Sequence, residues 1–140
     1  LPAGAAAAVR AAVERGHCGG GFRVRFDSTT PLFRFGAAVA SARTRITRVP
    51  LGDQAQFATR EAFARLGGYR EWPLLEDVDF ARRLKRAGRV AILPLAVTTS
   101  ARRFVQRGPV RTVAKNWLIW ALFACGVPPS RLARLYRDVR

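Results

Sequence analysis

Two adjacent carboxylates, Glu76 and Asp77, stand in a chain with 25 basic residues and 9 acidic ones. With Asp79 they make the run Glu76-Asp77-Val78-Asp79, which opens a segment whose apolar residues Val78, Ala81 and Leu84 recur at helical spacing. Group transfer to an alcohol needs a carboxylate to take the hydroxyl proton during attack. A carboxylate at a helix entrance meets free backbone N–H groups and the positive end of the helix dipole, which fix it and favour its charged form. Asp77 suits a general base of that kind, with Glu76 as the neighbour that orients it. Acids in a first turn also cap helices without doing chemistry, and that reading stands beside the catalytic one. Asp77-Val78-Asp79 matches Asp-x-Asp metal sites in its letters, but it begins an amphipathic helix instead of ending an apolar strand.

Other residues join this candidate site. Trp72, just before Pro73, offers either a wall for an acceptor ring or a packing surface. Asp53 and Gln54, in the turn Gly52-Asp53-Gln54, are candidates for lining the acceptor pocket. Arg102 and Arg103 present guanidinium forks suited to a diphosphate, or a solvated basic loop. His17 is a lone loop histidine with little to mark it as catalytic. With a single His and with Cys18 and Cys125 far apart, the sequence assigns no metal ligands, and the cysteines read as reduced thiols.

The elements that must position these residues can be read from local signals. Alanines 5–8 and 11–12 with Val9 and Val13 predict a helix ended by Gly16. Gly19-Gly20-Gly21 reads as a hinge or turn before the alternating strand Phe22-Arg-Val-Arg-Phe26. Thr30-Pro31 predicts a helix start with a hydroxyl at the cap, continuing through Leu32, Phe33, Phe35, Ala38 and Val39 to about Thr44. A short strand follows within 55–58, then a helix capped by Thr59 that ends at Leu66, where Gly67 takes a left-handed turn. A helix from Glu76 stopped by Gly88 comes next, then a strand from Val90 to Val97 that Pro94 confines to an edge or a bend. Two helices, near 110–125 and 130–139, close the chain. Strands and helices alternate, so the expected class is α/β.

The whole ordered set Gly52-Asp53-Gln54, Arg60-Glu61-Ala62-Phe63, Leu66-Gly67-Gly68-Tyr69, Glu76-Asp77-Val78-Asp79-Phe80, Arg83-Leu84 and Ala87-Gly88 resembles the acceptor-side half of family 2 glycosyltransferases. In that family a helix ending in Gly-Gly-aromatic precedes a Glu-Asp pair whose Asp is the catalytic base. The nearest subgroup is the small selenodomain-associated or arsenosugar-type transferases, which share a Phe-Arg-x-Arg-Phe-Asp strand, a Pro-Leu-Gly-Asp-Gln turn and a Thr-Ser-Ala-Arg-Arg segment. The resemblance covers roughly residues 19–103. It implies a GT-A fold (Rossmann-like, with a mixed sheet), of which residues 1–108 are the acceptor-side part and 109–140 an amphipathic basic helical tail. It also implies inverting transfer from a nucleoside-diphosphate sugar to a hydroxyl, with Asp77 as base and Glu76 in support. No Gln-x-x-Arg-Trp motif of processive members occurs, so a single sugar is transferred. A divalent cation, Mg or Mn, would be held mostly by residues upstream of Leu1, where the family carries its donor-binding half, so activity of these residues alone is not expected.

Bulk properties leave two further classes open. The net charge of +16 at pH 7 is almost wholly arginine, Lys85 and Lys115 being the only lysines. Such charge attracts phosphates on nucleotides, nucleic acid or anionic membranes, and it also arises from an Ala/Arg/Gly-rich composition alone. An arginine-rich nucleic-acid module is the first alternative, although the arginines are spread over every element and no helix-turn-helix, zinc or RNP signature appears. A peripheral membrane module is the second, built on the tail run Trp117-Leu-Ile-Trp120-Ala-Leu-Phe123 between basic residues. No apolar run reaches the roughly 18 residues of a membrane span. The expected setting is cytoplasmic, with contact at the inner membrane face through the tail.

Overall fold

A computed structural model describes residues 1–102 and 108–138, apart from the side chains of 109–111, 113, 117, 137 and 138. Its architecture is mixed α/β. The elements are α1 (Ala5–Glu14), β1 (Gly19–Phe26), α2 (Pro31–Thr47), a 3-10 turn (Gly52–Gln54), β2 (Phe57–Ala58), α3 (Arg60–Arg65), α4 (Glu76–Ala87), β3 (Val90–Thr99), α5 (Pro109–Ala124) and α6 (Pro129–Asp138). The chain divides into two compact units, one of residues 1–70 and 77–100, the other of residues 71–76 and 101–140.

The first unit is built on a three-stranded sheet in the order β2-β1-β3, with β1 antiparallel to β2 and parallel to β3. Alternation along the strands splits the core between two faces. Phe22, Ala91 and Leu93 pack with Ala5 and Ala12 of α1. Val90 packs the other way, with Ala62 of α3 and Phe80 and Leu84 of α4. Arg23 and Arg25 are exposed and alternate with the buried Phe22 and Val24, as the alternation predicts. The β1–β3 register slips between Phe22, opposite Leu93, and Arg23, opposite Ala96. Pro94 and Leu95 are the residues skipped. Proline has no N–H for the ladder, so the strand bends where it stands, and β3 is an edge among the described strands.

Two expectations are corrected here. Gly19, Gly20 and Gly21 are not a hinge: all three are buried inside β1. A Cβ on Gly20 would lie 2.1 Å from the Ala91 carbonyl oxygen, and one on Gly19 would lie 2.5 Å from that of Phe57. The glycines are there because neighbouring backbones come too close for any side chain. Thr30 does stand at the cap of α2, but its hydroxyl makes no bond to the helix and lies 3.0 Å from the Ser28 hydroxyl instead. Thr59 caps α3 as expected, accepting from the Ala62 N–H at 3.1 Å. Gly67 takes the left-handed conformation at φ 70° beyond the end of α3.

In the second unit the buried residues include Leu75, Ala101, Ile119, Leu132 and Ala133. Lys115 Nζ donates to the Tyr136 carbonyl at 2.8 Å and lies 4.3 Å above the Tyr136 ring, tying α5 to α6. Among the described residues no helix is long and apolar enough to cross a membrane.

The glycine geometry sets a measurable contrast. Gly20→Ala should lower unfolding free energy by about 3 kcal/mol or prevent folding, because backbone must move to admit the methyl group. Gly36→Ala, in α2 with nothing within 4 Å of the added carbon, should raise it by about 0.5–1 kcal/mol. Urea unfolding of both variants checks this, and a tolerant Gly20 position would contradict the close strand packing.

Candidate active site

The site grows from the entrance of α4. Asp77 Oδ2 accepts a hydrogen bond from the Gly52 N–H at 2.6 Å, and Oδ1 accepts from the Val78 N–H at 2.8 Å. The first bond joins residues 25 positions apart, so the 3-10 turn lies directly over the carboxylate. A Cβ at Gly52 would come within 3.1 Å of Oδ2, and glycine is what lets the turn approach this closely. Each carboxylate oxygen has two acceptor sites, so both retain a lone pair for a further proton. The donors that orient Asp77 are therefore backbone groups. Glu76, expected in that role, is half-buried at the first position of α4 and belongs to the second unit.

Gln56 fastens the same region from its side. Its Nε2 donates to the Pro50 carbonyl at 2.6 Å and to the Asp77 carbonyl at 3.0 Å, while its Oε1 accepts from the Tyr69 hydroxyl at 2.9 Å. Tyr69 in turn stacks at 4.6 Å on Phe80, whose ring also meets Phe63 at 5.4 Å. Arg83 closes the far side: it donates to Asp79 at 2.7 Å and to the carbonyls of Leu66 and Gly68 at 2.6 and 2.8 Å. Arg70 approaches Asp79 at 3.4 Å. Asp79 thus anchors arginines at the end of α3. Both partners are cations that neutralise it where it stands.

Gln54, expected to line an acceptor pocket, is corrected. It is 1 % exposed, and its Oε1 accepts from the Leu51 N–H and faces the Thr44 hydroxyl, both at 2.9 Å. The turn folds this side chain inward against α2, so it holds the turn from behind. Its Nε2 is buried with no partner among the described residues, a local cost of about 1–3 kcal/mol. Asp53 keeps solvent-exposed surface and lies near Asp77 and Arg43. Surrounding protein atoms push its carboxyl above the usual aspartate range, Asp77 adds to that rise and Arg43 opposes it. Burial pushes the Arg43 guanidinium below its usual range, countered by Asp53 and Asp77. Arg43 Nη2 donates to the Thr44 hydroxyl at 2.8 Å, which connects the charge cluster to the Gln54 bond.

Among the described residues, three with side chains hold left-handed backbone, one of them Arg48 at φ 57° beyond the end of α2. The other two, Ala55 and Leu75, sit at φ 45° and 65°, and a left-handed residue that is not glycine costs about 1–2 kcal/mol. One follows the turn over Asp77 and the other immediately precedes α4. Strain held by surrounding bonds in this way is typical of functional loops.

The remaining expected residues lie elsewhere. Trp72 packs edge-on against Phe123 at 6.2 Å within the second unit, which supports its packing role. Arg102 is exposed in that unit, and Arg103 lies outside the described residues. His17 Nδ1 lies 3.0 Å from the Ala12 carbonyl at the end of α1. Among the described residues no group of three His, Cys, Asp or Glu side chains could hold a metal ion. Arg43, Thr44 and Gln56 were not singled out by the sequence; their partners are distant along the chain, and only the Pro-Leu-Gly-Asp-Gln run hinted that the turn mattered. Comparison with protein-family models, curated proteins and solved structures finds no match to this chain.

The raised Asp53 carboxyl has a signed consequence for stability. Between the usual aspartate value and the higher folded one, the native state holds more proton than the unfolded state. Stability therefore falls as pH rises through that interval. Asp53→Asn should stabilise the chain at neutral pH and give a smaller gain, or none, below the usual aspartate range. Urea midpoints at the two pH values test this, and a gain that grows in acid would contradict it.

Proposed function

We propose that this chain is the acceptor side of an inverting, non-processive family 2 glycosyltransferase, with Asp77 as its general base. One observation carries the reading: Gly52 of the Gly-Asp-Gln turn holds the Asp77 carboxylate. Two words of the family's ordered motif set, far apart in sequence, meet at the atom the chemistry needs. The Gly-Gly-Tyr word joins them through Tyr69 and Gln56, and the Arg83 word clamps the turn after α3.

In this reading the acceptor hydroxyl lies against a free lone pair of Asp77. Its proton passes to the carboxylate as its oxygen bonds to the anomeric carbon. The bond from that carbon to the diphosphate oxygen breaks on the opposite face, and the nucleoside diphosphate leaves with the electron pair. The backbone N–H groups of Gly52 and Val78 keep the base from turning away, a positioning contribution to the rate. Asp53 lines the acceptor side. A divalent cation, where the reaction uses one, would neutralise the leaving diphosphate. Among the described residues no group of three His, Cys, Asp or Glu side chains could hold it, so no step above runs through a metal.

The reading is tested by incubating the full encoded protein with nucleoside-diphosphate sugars and alcohol acceptors. Nucleoside diphosphate should be released in step with a glycoside of inverted anomeric configuration, read by proton NMR. A retained anomer, or tight nucleic-acid binding with no transfer, would contradict it.

A further inference from the structure

Helix α2 turns its more apolar side to solvent. The residues it buries are Phe33, Ala37, Ser41 and Thr44, two of them hydroxylated. Leu32, Phe35, Val39 and Ile46 are instead 48, 68, 39 and 82 % exposed. Steps of three, four and seven residues line these four up along one stripe opposite the buried face, and the exposed Ala42 fills the gap before Ile46. Arg34 and Arg45 are exposed beside the stripe, and Arg48 is exposed at the helix end. From Pro31 to Thr47 the helix has no acidic residue.

We propose that α2 is an interfacial helix that seats this chain on an anionic bilayer, with the stripe in the acyl boundary and the arginines on headgroup phosphates. Charge chooses the occupant. A second copy docked through the same stripe would bring like-charged arginines together, with no acid on either helix to pair them. An anionic lipid surface removes both problems at once, because it covers apolar side chains and neutralises guanidinium groups. Arginine stems are long enough to lie along the apolar boundary while their heads reach the phosphates.

Vesicle flotation tests the proposal, with phosphatidylcholine alone and with mixed phosphatidylcholine and phosphatidylglycerol. The full encoded protein should float with mixed vesicles and far less with neutral ones. Bulk charge would attract any protein of net charge +16, so the deciding variant keeps that charge. Phe35→Gln with Ile46→Gln, both outward-facing, should reduce partition into mixed vesicles by about tenfold or more. Arg34→Gln with Arg45→Gln should reduce it by roughly twenty-fold. Far-UV circular dichroism confirms that each variant is folded. Unchanged flotation of the Phe35/Ile46 variant would overturn the proposal. So would loss of flotation only in Leu118→Gln, which assigns binding to the tail. Failure to float, together with a dimer on size-exclusion that the Phe35/Ile46 variant dissociates, would assign the stripe to a second copy and overturn it as well.

Discussion

The hydrogen bond from the Gly52 N–H to Asp77 Oδ2 is the constraint around which the first unit is arranged. A Cβ at Gly52 would lie 3.1 Å from Oδ2, so glycine lets the donor sit this close without the carboxylate giving way. The turn must also be held in place, which Gln54 does from behind by bonding the Leu51 N–H and facing Thr44 on α2. Gln56 then ties the Pro50 and Asp77 carbonyls together. α2, the turn and the start of α4 are registered to one another through side chains that satisfy backbone groups. A loop whose polar backbone is satisfied in this way can be ordered without being helical or extended.

That arrangement concentrates cost where it concentrates order. Asp53 and Arg43 are both displaced from their usual proton affinities, chiefly by the protein atoms that surround their charged groups, and Gln54 Nε2 lacks a partner among the described residues. Ala55, at φ 45°, adds backbone strain. The surrounding packing supports it: Phe80 and Leu84 are 1 % exposed, and Val78, also 1 % exposed, is the residue after Asp77. The Asp77 carboxylate is thus fixed on a well-packed helix beneath the turn, the rigidity that the proposed base role would need. The same bonds would also serve a purely structural role, and chemistry separates the two.

Much of the frame was legible because its signals are local. Gly16, Thr30-Pro31, Thr59 and Gly88 mark helix ends through conformational rules that act over a few residues, and the structure places ends there. What was hidden depends on contacts between distant segments. Gly19–Gly21 looked like a turn because nothing nearby in sequence reveals that Phe57, Ala91 and Pro50 will crowd them. Gln54 reads as a pocket-lining residue from its place in the turn, while the fold turns its side chain inward against Thr44 of α2. Arg83 stands in the motif set without a stated partner, and its three acceptors, Asp79 and the Leu66 and Gly68 carbonyls, come together only in the fold. In α2 the apolar spacing marked a helix, yet it does not tell which side is covered, and the larger apolar residues face outward.

The central claim is that Asp77, and not its neighbour Asp53, takes the acceptor proton. The direct measurement is the single-turnover rate of sugar transfer in the full encoded protein for Asp77→Asn and Asp53→Asn, with nucleotide affinity measured alongside. Asn at 77 can still accept the Gly52 bond, so the fold is kept while the base is lost. The account predicts a fall of about a hundredfold to ten-thousandfold for Asp77→Asn, about tenfold or less for Asp53→Asn, and unchanged nucleotide affinity in both. Transfer at the wild-type rate by Asp77→Asn, or the larger loss at Asp53, would contradict it.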